Sequence, residues 1–234
     1  MNATRGICTF RRNVRFAFDS ESVEQEGISS LPDYVFESQL GGCVAGVDEV
    51  GRGPLAGPVT AAAVMLDPAD IPVGLDDSKV LRPRARAKLW CKIVDVAVVS
   101  VAHASVAEID ELNILRASHL AMVRAVAGLA QAPDHALIDG NMIPTGLAIP
   151  ATSIIKGDSR SVSIAAASIV AKVCRDRIMV DLAQQHPGYG WEVNAGYPTP
   201  AHKRALLDLG LTPHHRRSFR PFHNILCKPR SSSP

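Results

Sequence analysis

The sequence predicts an α/β protein built on a mixed sheet, in which parallel and antiparallel strands occur together. Stretches with strand character alternate with stretches of helical periodicity along most of the chain, which is the pattern of α/β folds. Two strand-like stretches, 44–50 and 59–66, follow each other without an intervening helix, so a doubly wound parallel sheet is disfavoured. With 234 residues, 47% hydrophobic and 21% charged, the chain has the size and composition of one globular domain.

The stretch 44–58 contains the strongest functional signal in the sequence. It begins as a valine-rich strand and is interrupted by two adjacent acids, Asp48 and Glu49. Because neighbouring side chains on a strand point to opposite faces, these carboxylates cannot both lie in an ordinary core. Glycines follow, two of them flanking Arg52, so the backbone can pass close to a ligand. The combination favours a divalent cation beside a phosphate, although Asp-Glu alone is more often a solvated turn.

The remaining elements follow from periodicity and from the residues that start and end helices. Pro83 occupies a favourable first-turn position, and Ser105 and Glu108 have the spacing of a capping box. In chain order the predicted elements are strand 44–50, strand 59–66, helix 83–94, strand 97–104, a helix beginning at 105, a longer helix 112–130, strand 135–138, strand 148–155, helix 161–185 and helix 199–209.

Composition excludes several classes of protein. Aromatic residues make up only 5% of the chain, which argues against a stacking platform for single-stranded nucleic acid. No apolar run is long enough to span a membrane. The five cysteines are odd in number and have no paired spacing, which favours a reducing compartment without a zinc site or a disulfide framework. We therefore expect a cytoplasmic protein.

The charge is unevenly distributed although the net charge is only +2. From residue 201 to the C-terminus there are seven Lys or Arg residues and one acid. A basic segment of this kind suits a polyanion partner, with a solvated tail as an equal alternative. We expect residues from Lys203 to Arg220, including Arg216 and Arg217, to contact backbone phosphate, and the His214-His215-Arg216-Arg217 run to form a basic patch.

Three further acids are candidates for the same site. Asp139 ends a predicted strand, where open α/β folds place their sites, although a turn residue before glycine is the simpler alternative. Asp158 lies just before the long helix, where an N-terminal cap is the alternative. Asp176 lies in the middle of that helix between two arginines, and a surface ion pair is favoured for it over metal binding.

These residues belong to an ordered set of motifs. The motifs are Asp48-Glu49 with Gly51-Arg52-Gly53, Asp77-Ser78-Lys79, Ile138-Asp139-Gly140, Lys156-Gly157-Asp158, the run from Ser163 to Lys172, and Gly196-Tyr197-Pro198-Thr199. In this order the set resembles bacterial ribonuclease HII over residues 41–222, more than three-quarters of the chain. One departure is Asn194, where the family often has His, which affects a secondary substrate contact and not the metal site.

The resemblance implies a fold and an activity. The fold is ribonuclease H-like, a mixed five-stranded sheet flanked by helices with a helical C-terminal part. The activity is metal-dependent endonucleolytic cleavage of the RNA strand of RNA–DNA hybrids, and cutting at single ribonucleotides embedded in duplex DNA. Alternatives are a non-catalytic hybrid-binding protein of the same fold and a nuclease restricted to runs of ribonucleotides. We expect a monomer that acts on nucleic acid and not at a membrane; the sequence identifies no protein partner.

The resemblance also assigns the site residues. The catalytic and metal-binding carboxylates are Asp48, Glu49, Asp139 and Asp158, which hold two Mg²⁺ or Mn²⁺ ions. The predicted substrate-binding residues are Gly51, Arg52, Gly53, Lys79, Lys156, Lys172 and Tyr197, with the glycine loop and the tyrosine reading the ribonucleotide and the lysines binding phosphate. Hard cations prefer oxygen ligands, and four close carboxylates repel one another without them. We therefore expect weak metal binding in the free enzyme.

The predicted domain organisation has three parts. Residues 1–40 form an N-terminal extension, with 1–28 poorly ordered and a short helix within 32–40. Residues 41–223 form the catalytic domain, and 224–234 form a C-terminal tail.

Overall fold

The structure is a computed structural model that describes residues 31–219. The elements in chain order are α1 (Val35–Leu40), β1 (Val44–Val50), β2 (Val59–Met65), α2 (Pro83–Val96), β3 (Val98–Ala104), α3 (Val106–Leu112), α4 (Ile114–Ala127), β4 (His135–Asp139), β5 (Ala151–Ile154), a 3₁₀ turn (Gly157–Ser159), α5 (Val162–Gln185), α6 (Trp191–Asn194) and α7 (Pro200–Leu209). In this part of the chain no helix combines the length and hydropathy that crossing a membrane requires.

The five strands form one mixed sheet, which confirms the predicted fold class. The strand order is β3-β2-β1-β4-β5. The central strand β1 pairs antiparallel with β2 and parallel with β4. The outer pairs are antiparallel for β2 and β3 and parallel for β4 and β5. The carboxyl ends of β1 and β4 therefore lie side by side in the middle of the sheet.

Helices cover both faces of the sheet through small side chains. One face packs on α4 and the other on α5. Members of the first cluster include Ala45, Val47, Ala61, Ala121 and Ala125, and members of the second include Ala62, Val64, Ala166, Ile169 and Val170. Every residue of α5 from 162 to 171 is buried, which explains why this first part of the helix carries no charged residue and lacks a single hydrophobic stripe.

The prediction from the sequence made one strand too long and did not include two short elements. The predicted strand 148–155 is only Ala151–Ile154 in the structure, because Pro150 has no N–H to donate to a ladder. The 3₁₀ turn and α6 span three and four residues, which is too short for periodicity to appear. The predicted disorder of 1–28 and the tail 224–234 lie outside the described residues.

The approach of α5 to the central strand depends on Gly46. A Cβ at this position would collide with backbone atoms of Ser163 and Ile164, and helix backbone cannot move aside as a flexible side chain can. We expect Gly46→Ala to lower the free energy of unfolding by about 3 kcal/mol or more, as overpacking against rigid atoms does. Urea unfolding followed by circular dichroism measures this loss.

Gly146→Ala is the matched control for the Gly46 substitution. Gly146 has a positive φ of 98° and nothing within 4 Å of an added Cβ. The substitution should therefore lower the free energy of unfolding only through backbone strain, by roughly 1–2 kcal/mol. Equal losses for the two variants would mean that close helix–strand contact is not what selects glycine at position 46.

Candidate active site

Three carboxylates meet at the carboxyl ends of the central strands. Asp48 follows Val47 in β1, Asp139 follows Ile138 in β4, and Val47 and Ile138 are paired in parallel register. Asp158 joins them from the 3₁₀ turn. One oxygen from each of the three carboxylates lies within 4.8 Å of the others. Parallel strand pairing thus brings together two acids that are 91 positions apart in the sequence.

The turn that carries Asp158 is fixed by its neighbours. The N–H of Gly157 donates to Oδ1 of Asp139 at 2.7 Å, which ties the turn directly to the end of β4. A Cβ on Gly157 would lie 2.6 Å from Cδ1 of Ile164, so a larger residue here would force the end of the Ile164 side chain to move. Lys156 precedes the turn with φ 54° and ψ 44°, in the left-handed region. Such a backbone conformation is uncommon outside glycine and is often found at functional sites.

Glu49 lies at the edge of this group and outside the cluster of three. Its backbone N–H donates to Oδ1 of Asp48 at 2.7 Å. Its carboxylate forms an ion pair with Arg52, with Oε1 and Nη1 3.3 Å apart. The structure therefore brings three of the four predicted acids together and places the fourth beside them.

Burial and mutual repulsion raise the pKa of two of these acids. The pKa of Asp48 is well above its usual value because of burial and then because of the charges on Glu49, Asp139 and Asp158. The pKa of Asp139 is raised by burial and by Asp158, against the opposing hydrogen bond from Gly157. An all-oxygen donor set that repels itself fits hard divalent cations. Asp48, Asp139 and Asp158 are the residues that could hold them.

Lys79 partly compensates the negative charge of the site. Its Nζ lies 3.3 Å from Oδ2 of Asp158 and 3.7 Å from Oδ1 of Asp77. Burial alone would lower the pKa of Lys79, but Asp77, Asp158 and Asp48 together raise it. Its side chain is 75% exposed, so the ammonium group is accessible to a ligand. Lys156 is also exposed, next to the 3₁₀ turn.

Asp176 forms ion pairs, as predicted, with Lys172 of its own helix and with Arg86 of α2. Its Oδ1 lies 2.6 Å from Nζ of Lys172 and its Oδ2 lies 3.6 Å from Nη2 of Arg86. The neighbouring arginines in the sequence are not its partners in these pairs. Lys172 is therefore ion-paired to Asp176 within α5, and Asp176 in turn is ion-paired to Arg86 of α2. The contact of Lys172 with substrate phosphate stays a prediction.

The loop containing Gly51-Arg52-Gly53 lies against Tyr197. A Cβ on Gly53 would lie 3.4 Å from Cε1 of the Tyr197 ring, so this ring faces the α-carbon. The N–H of Leu55 donates to the carbonyl of Gly196 at 2.7 Å and fixes the two loops together. The Tyr197 side chain remains 41% exposed. Two motifs separated by 143 positions therefore form one accessible surface.

Two buried histidines, His202 and His215, lie next to each other, and His202 contacts the backbone of Tyr197. The sequence did not indicate this pair. Nδ1 of His202 lies 2.9 Å from the carbonyl oxygen of Tyr197; a carbonyl only accepts, so Nδ1 donates. Nε2 of His202 accepts from Nε1 of Trp191 and lies 3.2 Å from Nε2 of His215. Burial lowers the pKa of both histidines, to about 4 for His215, where neighbouring His202 adds to the effect. Both rings are therefore neutral at pH 7.

The predicted basic patch at 214–217 is wrong for two of its members. His215 and Arg216 are buried, and the guanidinium of Arg216 donates to backbone carbonyls. The N–H of Arg216 also donates to the carbonyl of Leu55 at 2.8 Å. The physical reason is that this segment packs on the glycine loop, so Arg216 cannot contact phosphate. Arg217 is exposed, and its contact with phosphate stays a prediction.

Arg175 is a second buried arginine that sequence reasoning did not identify. It lies in α5 and donates to the carbonyls of Ala56, Pro58 and Ala195. Helical charge patterns do not show which charged residue of a helix is covered by a loop, so the sequence gives no signal for the burial of Arg175.

Comparison with known proteins identifies close relatives of the chain. Residues 45–222 match the family model described as ribonuclease HII. The chain is 66% identical over 209 residues to ribonuclease HII of Cereibacter sphaeroides, covering 88% of this chain and 99% of that protein. It is 69% identical over 183 residues to ribonuclease HII of a Ruegeria species, covering 78% and 80%.

A solved structure shares the fold. The crystal structure of ribonuclease H2 from Pyrococcus horikoshii OT3 superimposes with a TM-score of 0.68 at 31% sequence identity. The match covers 78% of this chain and 96% of that one.

The raised pKa of Asp48 predicts that the metal-free site destabilises the protein. An acid whose pKa is raised by folding costs stability above its unfolded pKa of about 3.9, and the cost grows until the pH passes the folded pKa. We expect Asp48→Asn to raise the melting temperature in EDTA at pH 7, by roughly 2–4 °C for each kcal/mol recovered. This gain should shrink as the pH is lowered toward about 4.

Asp176→Asn is the control for this measurement, since it removes a carboxylate that is ion-paired on both oxygens. It should give no gain in melting temperature. An Asp48→Asn variant that is less stable than the unsubstituted protein in EDTA at pH 7 would show that repulsion in the cluster is not a stability cost.

Proposed function

The chain belongs to the ribonuclease HII family, and we propose that Asp48, Glu49, Asp139 and Asp158 carry out the hydrolysis. The protein is an endoribonuclease that cleaves the RNA strand of RNA–DNA hybrids. The observation that supports the residue assignment is the approach of three carboxylates to within 4.8 Å at the centre of the sheet. No such arrangement is needed to stabilise a fold, because repelling buried acids cost stability.

The donor set indicates the cofactor. Asp48, Asp139 and Asp158 would hold the divalent ions, and Glu49 would contribute from the edge; Mg²⁺ and Mn²⁺ are the ions that suit carboxylate oxygens. When bound, two such ions neutralise charge on the reacting phosphate and lower the pKa of water. The residues themselves fix where those ions are held, through the N–H of Gly157 on Asp139.

The cations around the carboxylates are placed to bind the substrate backbone. Arg52 is half exposed and paired with Glu49, and Lys79 lies 3.3 Å from Asp158 with most of its side chain in solvent. Both can exchange a carboxylate partner for a phosphate as substrate enters, at little cost because exposed ion pairs are weak. This exchange would also leave the carboxylates free for metal.

The surface formed by the glycine loop and Tyr197 is proposed to distinguish ribose from deoxyribose. Only the 2′-hydroxyl differs between the two sugars, and a protein can read it as donor and acceptor. The absence of a side chain at Gly53 lets the sugar approach the backbone, and the exposed ring of Tyr197 closes one side. This arrangement supports cutting at single ribonucleotides embedded in duplex DNA.

A cytoplasmic location belongs to the same proposal. Cys91 and Cys174 have free thiols in the described residues, which fits a reducing compartment.

Asp139→Asn tests the carboxylate assignment. The substitution keeps the size of the side chain and removes the charge that holds metal. We expect the cleavage rate of a duplex with one ribonucleotide to fall by roughly 10³-fold or more, well beyond the roughly 10–100-fold that follows loss of a group behind a metal ligand. Circular dichroism should show that the fold is retained, and Asp158→Asn should be equally or less harmful.

Asp176→Asn is the matched control, because it neutralises an ion-paired acid of α5. Its effect on the rate should be mild. Loss of cleavage in Asp176→Asn with normal cleavage in Asp158→Asn would show that the fourth ligand is misassigned. Binding of hybrid without any metal-dependent cleavage in the unsubstituted protein would favour the non-catalytic alternative.

Tyr197 variants test ribonucleotide recognition. Tyr197→Ala removes the ring that packs on the sugar. It also removes the proposed hydrogen bond from the tyrosine hydroxyl to the 2′-hydroxyl, which is worth roughly 1 kcal/mol. We therefore expect cutting at a single embedded ribonucleotide to slow by at least about tenfold. Tyr197→Phe keeps the ring and should lose less. Rates are compared on a DNA duplex with one ribonucleotide and on a full RNA–DNA hybrid. An unchanged rate of Tyr197→Ala on the first substrate would exclude Tyr197 as the residue that senses the ribonucleotide.

A further inference from the structure

Two buried arginines hold the glycine loop from its inner side. Arg175 and Arg216 are fully buried, with 0% exposure. Their two guanidinium groups together donate seven hydrogen bonds, and all seven go to backbone carbonyls. The acceptors are Ala56, Pro58 and Ala195 for Arg175, and Gly51, Arg52, Gly57 and Pro58 for Arg216.

This arrangement is costly and therefore informative. Burial lowers the pKa of Arg216 to about 9, with further lowering from the adjacent Arg175, whose own pKa is lowered to about 10 by burial. None of the seven hydrogen bonds goes to a carboxylate, so backbone carbonyls of the glycine loop, together with that of Ala195, are what satisfy both charges. Ordinary packing would not need two such cations, since apolar side chains of similar volume are often as stabilising.

The hydrogen bonds of Arg216 fix the direction of two peptide groups. Nη2 donates to the carbonyl of Gly51 at 2.6 Å, and Nη1 donates to the carbonyl of Arg52 at 3.1 Å. No cis peptide occurs in the described residues, and in a trans peptide the C=O and N–H point in opposite directions. The N–H groups of Arg52 and Gly53 must therefore point away from Arg216, toward the outer side of the loop.

The outer side of the loop is the surface shared with Tyr197. Arg52 and Gly53 are exposed, and within residues 31–219 neither of their N–H groups has a hydrogen-bond acceptor. Gly53 lies beside the Tyr197 ring. Arg175 connects the two loops, because it holds the carbonyls of Ala56 on one and Ala195 on the other.

We propose that Arg216 is the positioning residue that aims the N–H groups of Arg52 and Gly53 at the 2′-hydroxyl of the ribonucleotide. Arg175 holds this loop at a fixed distance from Tyr197. The inference rests on the proposed recognition of ribose by this surface. It assigns the specificity to a pair of peptide dipoles whose direction is set by one buried guanidinium and not by the glycines alone.

Arg216→Lys is the test, because lysine keeps the charge but lacks the planar fork that reaches several carbonyls at once. Arg84→Lys, at an exposed arginine of α2, is the matched control. All proteins carry Asp139→Asn so that the duplex is bound and not cut. Fluorescence anisotropy gives the Kd for a DNA duplex with one ribonucleotide and for the same duplex made entirely of DNA.

The ratio of the two Kd values is the measure of discrimination. We expect Arg216→Lys to lower this ratio by about tenfold, the equivalent of one well-aligned hydrogen bond, while affinity for the all-DNA duplex changes little. Arg84→Lys should keep the full ratio. A full ratio in Arg216→Lys would overturn the positioning role. A parent protein that binds both duplexes equally would instead overturn the proposed ribose recognition itself.

A second measurement does not depend on the Arg216 variant folding. In ¹⁵N-labelled Asp139→Asn protein, the amide signals of Arg52 and Gly53 should shift downfield when the ribonucleotide duplex is added and less when the all-DNA duplex is added. Equal shifts with the two duplexes would contradict the proposal, because they would show that these N–H groups do not donate to the 2′-hydroxyl.

Discussion

Electrostatic repulsion among carboxylates that are largely buried is the constraint on which the rest of the structure depends. Asp48, Asp139 and Asp158 approach one another within 4.8 Å, and burial together with neighbouring charge raises the pKa of Asp48 and Asp139. A chain holds such a group together only if the backbone around it is rigid. Here the rigidity comes from the central pairing of β1 with β4 and from α5, which packs directly on Gly46.

The positive charge of the site is arranged in two layers with different purposes. Arg52 and Lys79 are accessible cations next to the carboxylates, where they can meet phosphate. Arg175 and Arg216 are buried beneath the glycine loop and donate hydrogen bonds to its carbonyls. One layer thus contacts the substrate, and the other shapes the surface that contacts it. His202 has a similar supporting role for the carbonyl of Tyr197.

The sequence predicted what depends on residue type and order. Residue type and position marked Asp48 and Asp139 as candidates, and the resemblance of the ordered motifs to a family assigned them to one site; the sheet brings the two carboxylates together. Prediction from the sequence failed where the role of a residue depends on whether tertiary packing buries it. Arg216 has the same charge as Arg217 in the sequence, but only the structure shows that it is covered by the loop it holds. The length of β5 was overestimated because Pro150 limits the ladder.

The most direct test of metal-supported catalysis by the carboxylate cluster is a metal titration of cleavage. A fluorescent DNA duplex with one ribonucleotide is incubated with the protein in EDTA, and Mg²⁺ or Mn²⁺ is then added in excess. A requirement for divalent ions to relieve the repulsion among Asp48, Asp139 and Asp158 predicts no cleavage before the addition and cutting at the ribonucleotide after it. Cleavage in EDTA at the rate seen with metal would contradict the central role of these carboxylates as metal ligands.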